Sequence, residues 1–115
     1  MRERRREKRI PEEDKVVLTF PPVGSVPGPH CVALTRDISP GGICLISGVQ
    51  VPVEGRLGFE VGLAGSGRLV RGTGTVRWVN RLFEGSAFEV GLEFTEIDPV
   101  SVGVILEHVY GRLLA

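Results

Sequence analysis

Cysteine, tryptophan and tyrosine are scarce in this chain of 115 residues, which contains two cysteines, one tryptophan and one tyrosine. Two cysteines inside apolar segments are typical of reduced, packed side chains, so we expect no disulfide framework. The sequence also lacks a run of about 18–20 apolar residues, the length that crosses a bilayer. The N-terminus is basic but no apolar stretch follows it, which excludes a secretory signal. We therefore expect a cytoplasmic protein without a membrane span.

The sequence also lacks the patterns that carry catalysis or bind metals. It has no Walker loop, no nucleophile elbow and no His-Glu metal pattern. Its two histidines, His30 and His108, are far apart, and neither has a second ligand at metal-binding spacing. We therefore predict a protein that is not an enzyme and that uses neither a metal ion nor a cofactor.

Sixteen glycines and eight prolines divide the chain into short segments, which favours strands and turns over long helices. Six segments alternate apolar and polar residues or are rich in β-branched and aromatic residues. They span residues 15–20, 30–36, 43–46, 56–63, 68–80 and 88–94. In the fifth segment the alternation places Trp78 with Val76 on the buried face, where glycines permit the bending of a small closed barrel.

One helix is predicted at residues 98–114. Asp98 suits the N-cap position and Pro99 the first helical position. Apolar residues recur with helical spacing at positions 102, 105, 106, 109 and 113, and further apolar residues at 104, 110 and 114 widen the stripe. Either core packing or a second contact surface explains the extra width.

Six strands followed by one helix predict a single all-β domain, a six-stranded antiparallel barrel with a C-terminal helix. We assign residues 15–115 to this barrel and residues 1–14 to a flexible basic arm. Residues 1–9 hold five arginines and one lysine against two glutamates, a net charge of +4, whereas the rest of the chain carries −4. The arm therefore needs an anionic partner or water.

The sequence contains two short motifs, the first in the arm and the second in the barrel. The first is an RxxxR pattern formed by Arg5 and Arg9, and the second is a DxSxxG pattern formed by Asp37, Ser39 and Gly42. Together with the later segments 74–78 and 88–94, these motifs resemble the PilZ domain family, bacterial receptors for cyclic di-GMP. The resemblance covers nearly the whole chain and implies a PilZ-like barrel of the split-barrel type.

The resemblance also implies roles for the motif residues. In the family, the arginines matching Arg5 and Arg9 hold phosphate and guanine, and the residues matching Asp37 and Ser39 hold base edges. These roles agree with the chemistry, because a guanidinium binds phosphate or guanine O6 and N7 bidentately and a carboxylate accepts from guanine N–H groups. Gly42 lacks a Cβ and so lets a base or backbone approach closely.

Arg4, directly before the first motif, resembles the family members that bind the ligand as a stacked dimer, and we expect the same here. We further expect that the ligand orders the arm against the barrel and thereby changes the surface offered to an unidentified effector protein. In the family such outputs include motility and exopolysaccharide synthesis.

Two alternatives stay open. A small barrel with a basic arm could bind RNA or DNA, but this mode uses aromatic residues on an exposed strand face. Here the aromatic residues that could serve follow the buried alternation, so nucleic acid is the weaker prediction; they are Phe59, Trp78, Phe88 and Phe94. The chain could also be a PilZ-like interaction module that no longer binds ligand, although its five motif residues are intact.

Overall fold

The computed structural model describes residues 9–11, 13–63 and 66–114, and for residues 112–114 it describes the backbone only. Within these residues the strands are β1 (Ile10–Pro11), β2 (Lys15–Thr19), β3 (His30–Ser39), β4 (Gly42–Ser47), β5 (Arg56–Gly62), β6 (Leu69–Leu82) and β7 (Ala87–Ile97). A turn of 3-10 helix, Phe83–Gly85, connects β6 to β7, and the helix α1 (Pro99–Leu114) follows β7.

Six of the strands close into an antiparallel barrel. Their order is β3-β2-β5-β6-β7-β4, and pairing of β4 with β3 closes the ring. The predicted six-stranded barrel with a C-terminal helix is therefore confirmed. β1 is an additional strand that pairs with Asp37 and Ile38 of β3. The sequence did not predict it, because two residues are too few to show an alternating pattern.

The barrel interior is filled by apolar side chains that alternate along the strands. Val16 and Leu18 of β2 are fully buried, as are Val61 of β5 and Val90 of β7. Burial of one such side chain contributes about 1.5–3 kcal/mol relative to exposure. The helix adds one face to this core, through Val104, Ile105 and Val109.

The helix begins as the sequence predicts. The backbone N–H of Ser101 donates to Oδ1 of Asp98 over 2.8 Å, the contact of an N-cap residue. This hydrogen bond, together with a second one from the Ser101 hydroxyl, lowers the pKa of the Asp98 carboxyl below its ordinary value. The N-cap prediction is thus confirmed, and Pro99 is the first helical residue.

Two residues near the end of the predicted arm are buried. Ile10 is buried in the core, and Asp14 is also buried. The backbone N–H of Asp14 donates to the Thr35 hydroxyl and its carbonyl accepts from the Thr35 N–H, both over 2.8 Å. Within the predicted arm of residues 1–14, Ile10 and Asp14 therefore contact the barrel, which supplies an apolar site for Ile10. The boundary at residue 14 and the flexibility of the arm stay predictions. Residues 1–8 of the arm lie outside the described residues.

Candidate functional site

Two of the predicted site residues, Arg9 and Asp37, meet on the outside of the barrel although they are 28 positions apart. Nη1 of Arg9 lies 2.5 Å from Oδ1 of Asp37. Ile10 of β1 pairs with Ile38 of β3 and both are buried in the core, so the alternation of side chains along each strand places Arg9 and Asp37 on the outer face. The Arg9 and Asp37 side chains are 29% and 31% exposed, so solvent and solutes reach the pair.

Ser39 and Gly42 occupy the ends of β3 and β4 and face each other across a two-residue turn. The Ser39 side chain is fully buried, and its hydroxyl donates to the Gly42 carbonyl over 3.3 Å. A Cβ at position 42 would collide with the Leu92 carbonyl oxygen of β7. Both residues therefore have structural reasons to be serine and glycine, apart from any contact with a ligand.

Arg4 and Arg5, the other two predicted site residues, lie outside the described residues. Their proposed roles rest on the sequence. The described part of the arm begins at Arg9, which lies beside Asp37 and directly precedes strand β1.

The pairing registers place four residues in one line across the outside of the barrel. Asp37 of β3 is opposite Cys44 of β4, Cys44 is opposite Gly91 of β7, and Gly91 is opposite Trp78 of β6. We call this line the outer row. It faces outward because its neighbours along β7, Val90 and Leu92, point into the core.

Trp78 does not belong to the core, which corrects the prediction from the alternation. The register of β6 against β7 shifts between Val76 and Trp78, so that Arg77 is an extra residue and Trp78 turns outward. Its indole lies directly over Gly91, where a Cβ would meet the ring. Trp78 is half-buried in this position and Val79 packs against the core in its place. The alternation rule failed here because a bulge reverses the phase of the strand.

A second register shift, in β3, lies at the other end of the outer row. Thr35 is opposite Leu45 and Asp37 is opposite Cys44, so Arg36 is the extra residue. The two strands at the ends of the outer row, β3 and β6, thus each carry an arginine at a bulge. Arg36 directly precedes Asp37, and Arg77 directly precedes Trp78. In the sequence, the two bulges appear only as an arginine directly before Asp37 and before Trp78. The strand registers are needed to recognise them as bulges.

Both bulge arginines are held by carboxylates. Arg36 Nη1 contacts Glu89 Oε2 over 2.6 Å. Arg77 contacts Glu93 through Nε over 2.5 Å and Glu54 through Nη1 over 2.8 Å. These pairs are partly exposed, and exposed pairs contribute about 0–1 kcal/mol each. An anionic ligand could therefore compete for either guanidinium at a low cost.

Cys44, in the middle of the outer row, is a protonated thiol. Burial raises its pKa to about 12, helped by the negative charges of Asp37 and Glu89. Its Sγ donates weakly to Glu89 over 3.6 Å. The thiol therefore provides an uncharged, compact floor between Asp37 and the indole of Trp78.

Comparison with known proteins identifies the family of this barrel. A family model of the PilZ domain matches residues 3–111. The chain belongs to the PilZ family. No curated protein sequence matches this PilZ domain.

Solved structures share the fold at low sequence identity. The inhibitor of motility from Bacillus subtilis (MotI/DgrA) is 20% identical with a TM-score of 0.77, covering 96% of this chain and 51% of that one. YcgR from Escherichia coli, solved in complex with c-di-GMP, is 14% identical with a TM-score of 0.74, covering 96% of this chain and 46% of that one. This chain thus spans about half the length of these two proteins.

The PilZ domain of YcgR from Escherichia coli, solved with c-di-GMP, is a structure of similar size. It is 14% identical with a TM-score of 0.69, and the match covers 94% of this chain and 90% of that one. Among the residues that the structure describes here, no helix is long and apolar enough to cross a membrane. The same part of the chain contains no group of three or more histidine, cysteine or acidic side chains placed to hold a metal ion.

Proposed function

We propose that this PilZ domain is a receptor for cyclic di-GMP that binds its ligand on the outer row. The observation that carries the proposal is the pairing of Arg9 with Asp37 at the base of the basic arm, on the same face of the barrel as the outward-facing Trp78. This arrangement joins a guanidinium, a carboxylate and an aromatic ring on one accessible face. Guanine is a ligand that uses all three.

The Arg9–Asp37 pair presents complementary groups for a guanine. The donors of guanine, N1–H and the N2 amino group, suit the Asp37 carboxylate, and the acceptors of guanine, O6 and N7, suit the Arg9 guanidinium. To bind, the ligand must break the contact between the Arg9 and Asp37 side chains and replace it with its own hydrogen bonds to both. Both are about a third exposed, so this exchange costs about 1 kcal/mol or less. Hydrogen bonds to charged groups contribute about 1.5–3 kcal/mol each and outweigh that cost.

Trp78 offers a surface on which a base can stack. Two strand spacings, about 10 Å, separate the backbone of Asp37 from that of Gly91, over which the indole lies. A base held by Asp37 would therefore lie over Cys44 and reach toward the ring. Stacking of a base on an aromatic side chain contributes about 1–3 kcal/mol.

The two phosphates of cyclic di-GMP need cations, which the site can supply. Arg36 and Arg77 are partly exposed near the two ends of the outer row. Arg4 and Arg5 of the arm would close over the ligand from the other side, and Arg4 would favour a stacked ligand dimer. The structures of YcgR with c-di-GMP support the proposal through their common fold.

Binding would also change the surface around Arg9, because its contact with Asp37 is replaced by contacts with the ligand. We propose that an effector protein recognises this change, so that the domain acts as an adaptor rather than as an enzyme. A switch of this kind needs only local ordering of the residues before Arg9.

Isothermal titration with cyclic di-GMP tests the proposal. Arg9→Ala should weaken binding about 100-fold, or about 2.7 kcal/mol. Arg68→Ala is the matched control, since Arg68 forms a similar pair with Glu107 of α1, and its affinity should equal that of the wild type. Absence of binding to the wild type, or equal affinities for all three proteins, would refute the proposal.

A second candidate function is binding of single-stranded nucleic acid. The outward position of Trp78 favours it, because an exposed aromatic side chain beside a basic arm can stack a base. The protein has a single tryptophan, so its fluorescence reports on this ring alone. Quenching by a short oligonucleotide that disappears with added salt would favour nucleic acid. Quenching by cyclic di-GMP, with no effect of GTP or the oligonucleotide, would favour the receptor.

A further inference from the structure

The two bulge arginines differ in how firmly carboxylates hold them. Among the residues that the structure describes, Arg36 forms one ion pair, in which its Nη1 contacts Glu89. Arg77 forms two ion pairs, through Nε with Glu93 and through Nη1 with Glu54. The Arg36 side chain is also the more exposed of the two, 58% against 36%. A ligand therefore has to replace one contact to bind Arg36 and two contacts to bind Arg77.

The loop before β5 strengthens the hold on Arg77. Glu54 has a left-handed backbone conformation, with a φ of 70°, which is uncommon for a residue other than glycine and persists only where surrounding contacts support it. Its backbone N–H donates to the Val76 carbonyl over 2.7 Å, and the Val76 N–H donates to the Gly55 carbonyl over 2.9 Å. These hydrogen bonds hold the Glu54 backbone beside the bulge of β6. Arg77 is therefore kept in place from two sides, whereas Arg36 has a single contact to give up.

Glu89, the partner of Arg36, is placed to compete with an anionic ligand. It lies two residues before Gly91 on β7, so its side chain is on the same outer face as the outer row. Its side chain is 19% exposed, which is less than that of any other carboxylate in the ion pairs of the described residues. Partly buried charges are screened less by water and salt than exposed ones. Glu89 therefore holds Arg36 more strongly than a fully exposed carboxylate would.

Arg36 is close enough to the proposed guanine site to contact a phosphate of the same ligand. It directly precedes Asp37, so the Cα atoms of the two residues are about 3.8 Å apart. A guanidinium binds carboxylate and phosphate oxygens in the same way, through charge-assisted N–H···O hydrogen bonds. Glu89 thus occupies, in the free protein, a donor that a phosphate next to a base held by Asp37 would use.

Cys44 allows Glu89 to release Arg36 without losing every hydrogen-bond donor. The Cys44 thiol donates to Oε2 of Glu89 over 3.6 Å, and Arg36 contacts the same oxygen. Burial raises the pKa of Cys44 to about 12, so the thiol stays protonated and continues to donate after Arg36 has moved. A partly buried carboxylate left without any donor would pay a larger desolvation cost. The release of Arg36 is therefore less unfavourable than the loss of all partners of Glu89.

We propose that Glu89 is an internal competitor that limits the affinity of the outer row for its ligand, and that the ligand draws Arg36 from Glu89 onto a phosphate. The proposal rests on the proposed function as a receptor for cyclic di-GMP, and it assigns a phosphate contact to Arg36 in preference to Arg77. Its consequence is distinctive, because removal of the Glu89 charge should tighten binding, whereas loss of a residue that holds the ligand weakens it.

Isothermal titration of the full chain with cyclic di-GMP tests the proposal. Glu89→Gln should tighten binding about five- to tenfold, because glutamine keeps the size of the side chain but no longer competes as an anion. Glu93→Gln is the matched control, since Glu93 lies two residues after Gly91 on the same strand and Arg77 keeps its contact with Glu54. It should change the affinity less than about twofold.

A second background separates competition for Arg36 from general repulsion of an anion. Arg36→Ala should weaken binding about tenfold, and in this background Glu89→Gln should add less than about twofold. Unchanged or weaker binding by Glu89→Gln would overturn the proposal, as would equal gains from Glu89→Gln and Glu93→Gln or a gain that persists in Arg36→Ala. If the wild type binds and Arg9→Ala weakens that binding, these results overturn this proposal alone. Absence of binding to the wild type would overturn the receptor function together with it.

Discussion

The first described residues and the last helix both pack one side against the barrel, but they offer opposite chemistry on the other side. The N-terminal segment buries Ile10 and presents Arg9, paired with Asp37, to solvent. The helix buries Val109 and presents a nearly uncharged apolar face. Each end contains one arginine–carboxylate pair, Arg9–Asp37 or Arg68–Glu107. The first end therefore presents charged groups at its surface, whereas the second presents mainly apolar ones.

The largest effect in this comparison should come from removing the anchor of the N-terminal segment. Ile10→Ala should lower the free energy of unfolding by about 2–4 kcal/mol, because it leaves a cavity in the core. Val100→Ala, on the exposed side of the helix, should change it by less than about 0.5 kcal/mol. Urea denaturation measures both values. Similar small effects of the two variants would mean that the N-terminal segment is not held by its apolar contact.

The two arginine–carboxylate pairs can be compared directly. Asp37→Asn should weaken cyclic di-GMP binding about 10–100-fold, because one charged acceptor for the guanine N–H groups is lost. Glu107→Gln breaks the corresponding pair on the helix and should leave the affinity unchanged. Titration calorimetry gives both numbers, and equal losses in the two variants would contradict the assigned site.

Trp78→Ala should weaken the same binding about 10–30-fold through the loss of stacking. Trp78→Phe should recover part of the affinity, since a smaller ring still stacks. Because the indole is half-buried outside the core, the melting temperature of the alanine variant should fall by only a few degrees. A collapse of the fold in Trp78→Ala would show that the ring acts as a core residue.

Salt should have a smaller effect, at the N-terminal end of the molecule. Raising the ionic strength from about 0.1 to 0.5 M should weaken cyclic di-GMP binding several-fold, because the Debye length shortens around the arginines. An affinity that stays constant over this range, measured by titration calorimetry, would contradict the binding of the phosphates by arginines.

The smallest effect concerns the N-cap of α1. Hydrogen bonds from Ser101 lower the pKa of Asp98 in the folded state, so its contribution to stability is present above the ordinary pKa of 3.8 and is lost as pH falls below it. Asp98→Asn keeps a good capping residue without a titrating group. Thermal melts from about pH 7 to 3 should show a shallower loss of stability in acid for this variant than for the wild type.

The strands and the helix could be predicted because each depends on local periodicity. The alternation of Leu57, Phe59 and Val61 indicates β5 without any knowledge of its partners. Asp98 and Pro99 likewise indicate the start of α1. β1 and the two bulges could not be predicted, because they depend on how strands are paired rather than on the residues of one segment.

The sequence by itself determined the family, the barrel and the positive charge of the first nine residues, since short motifs and alternating side chains carry that information. Only the tertiary structure decided that Ser39 is buried, that Trp78 points outward and that Arg9 meets Asp37. The physical reason is that a bulge, or a change of one residue in the pairing register, moves the following side chains of a strand to the other face of the sheet. That shift is set by contacts between segments far apart in the chain.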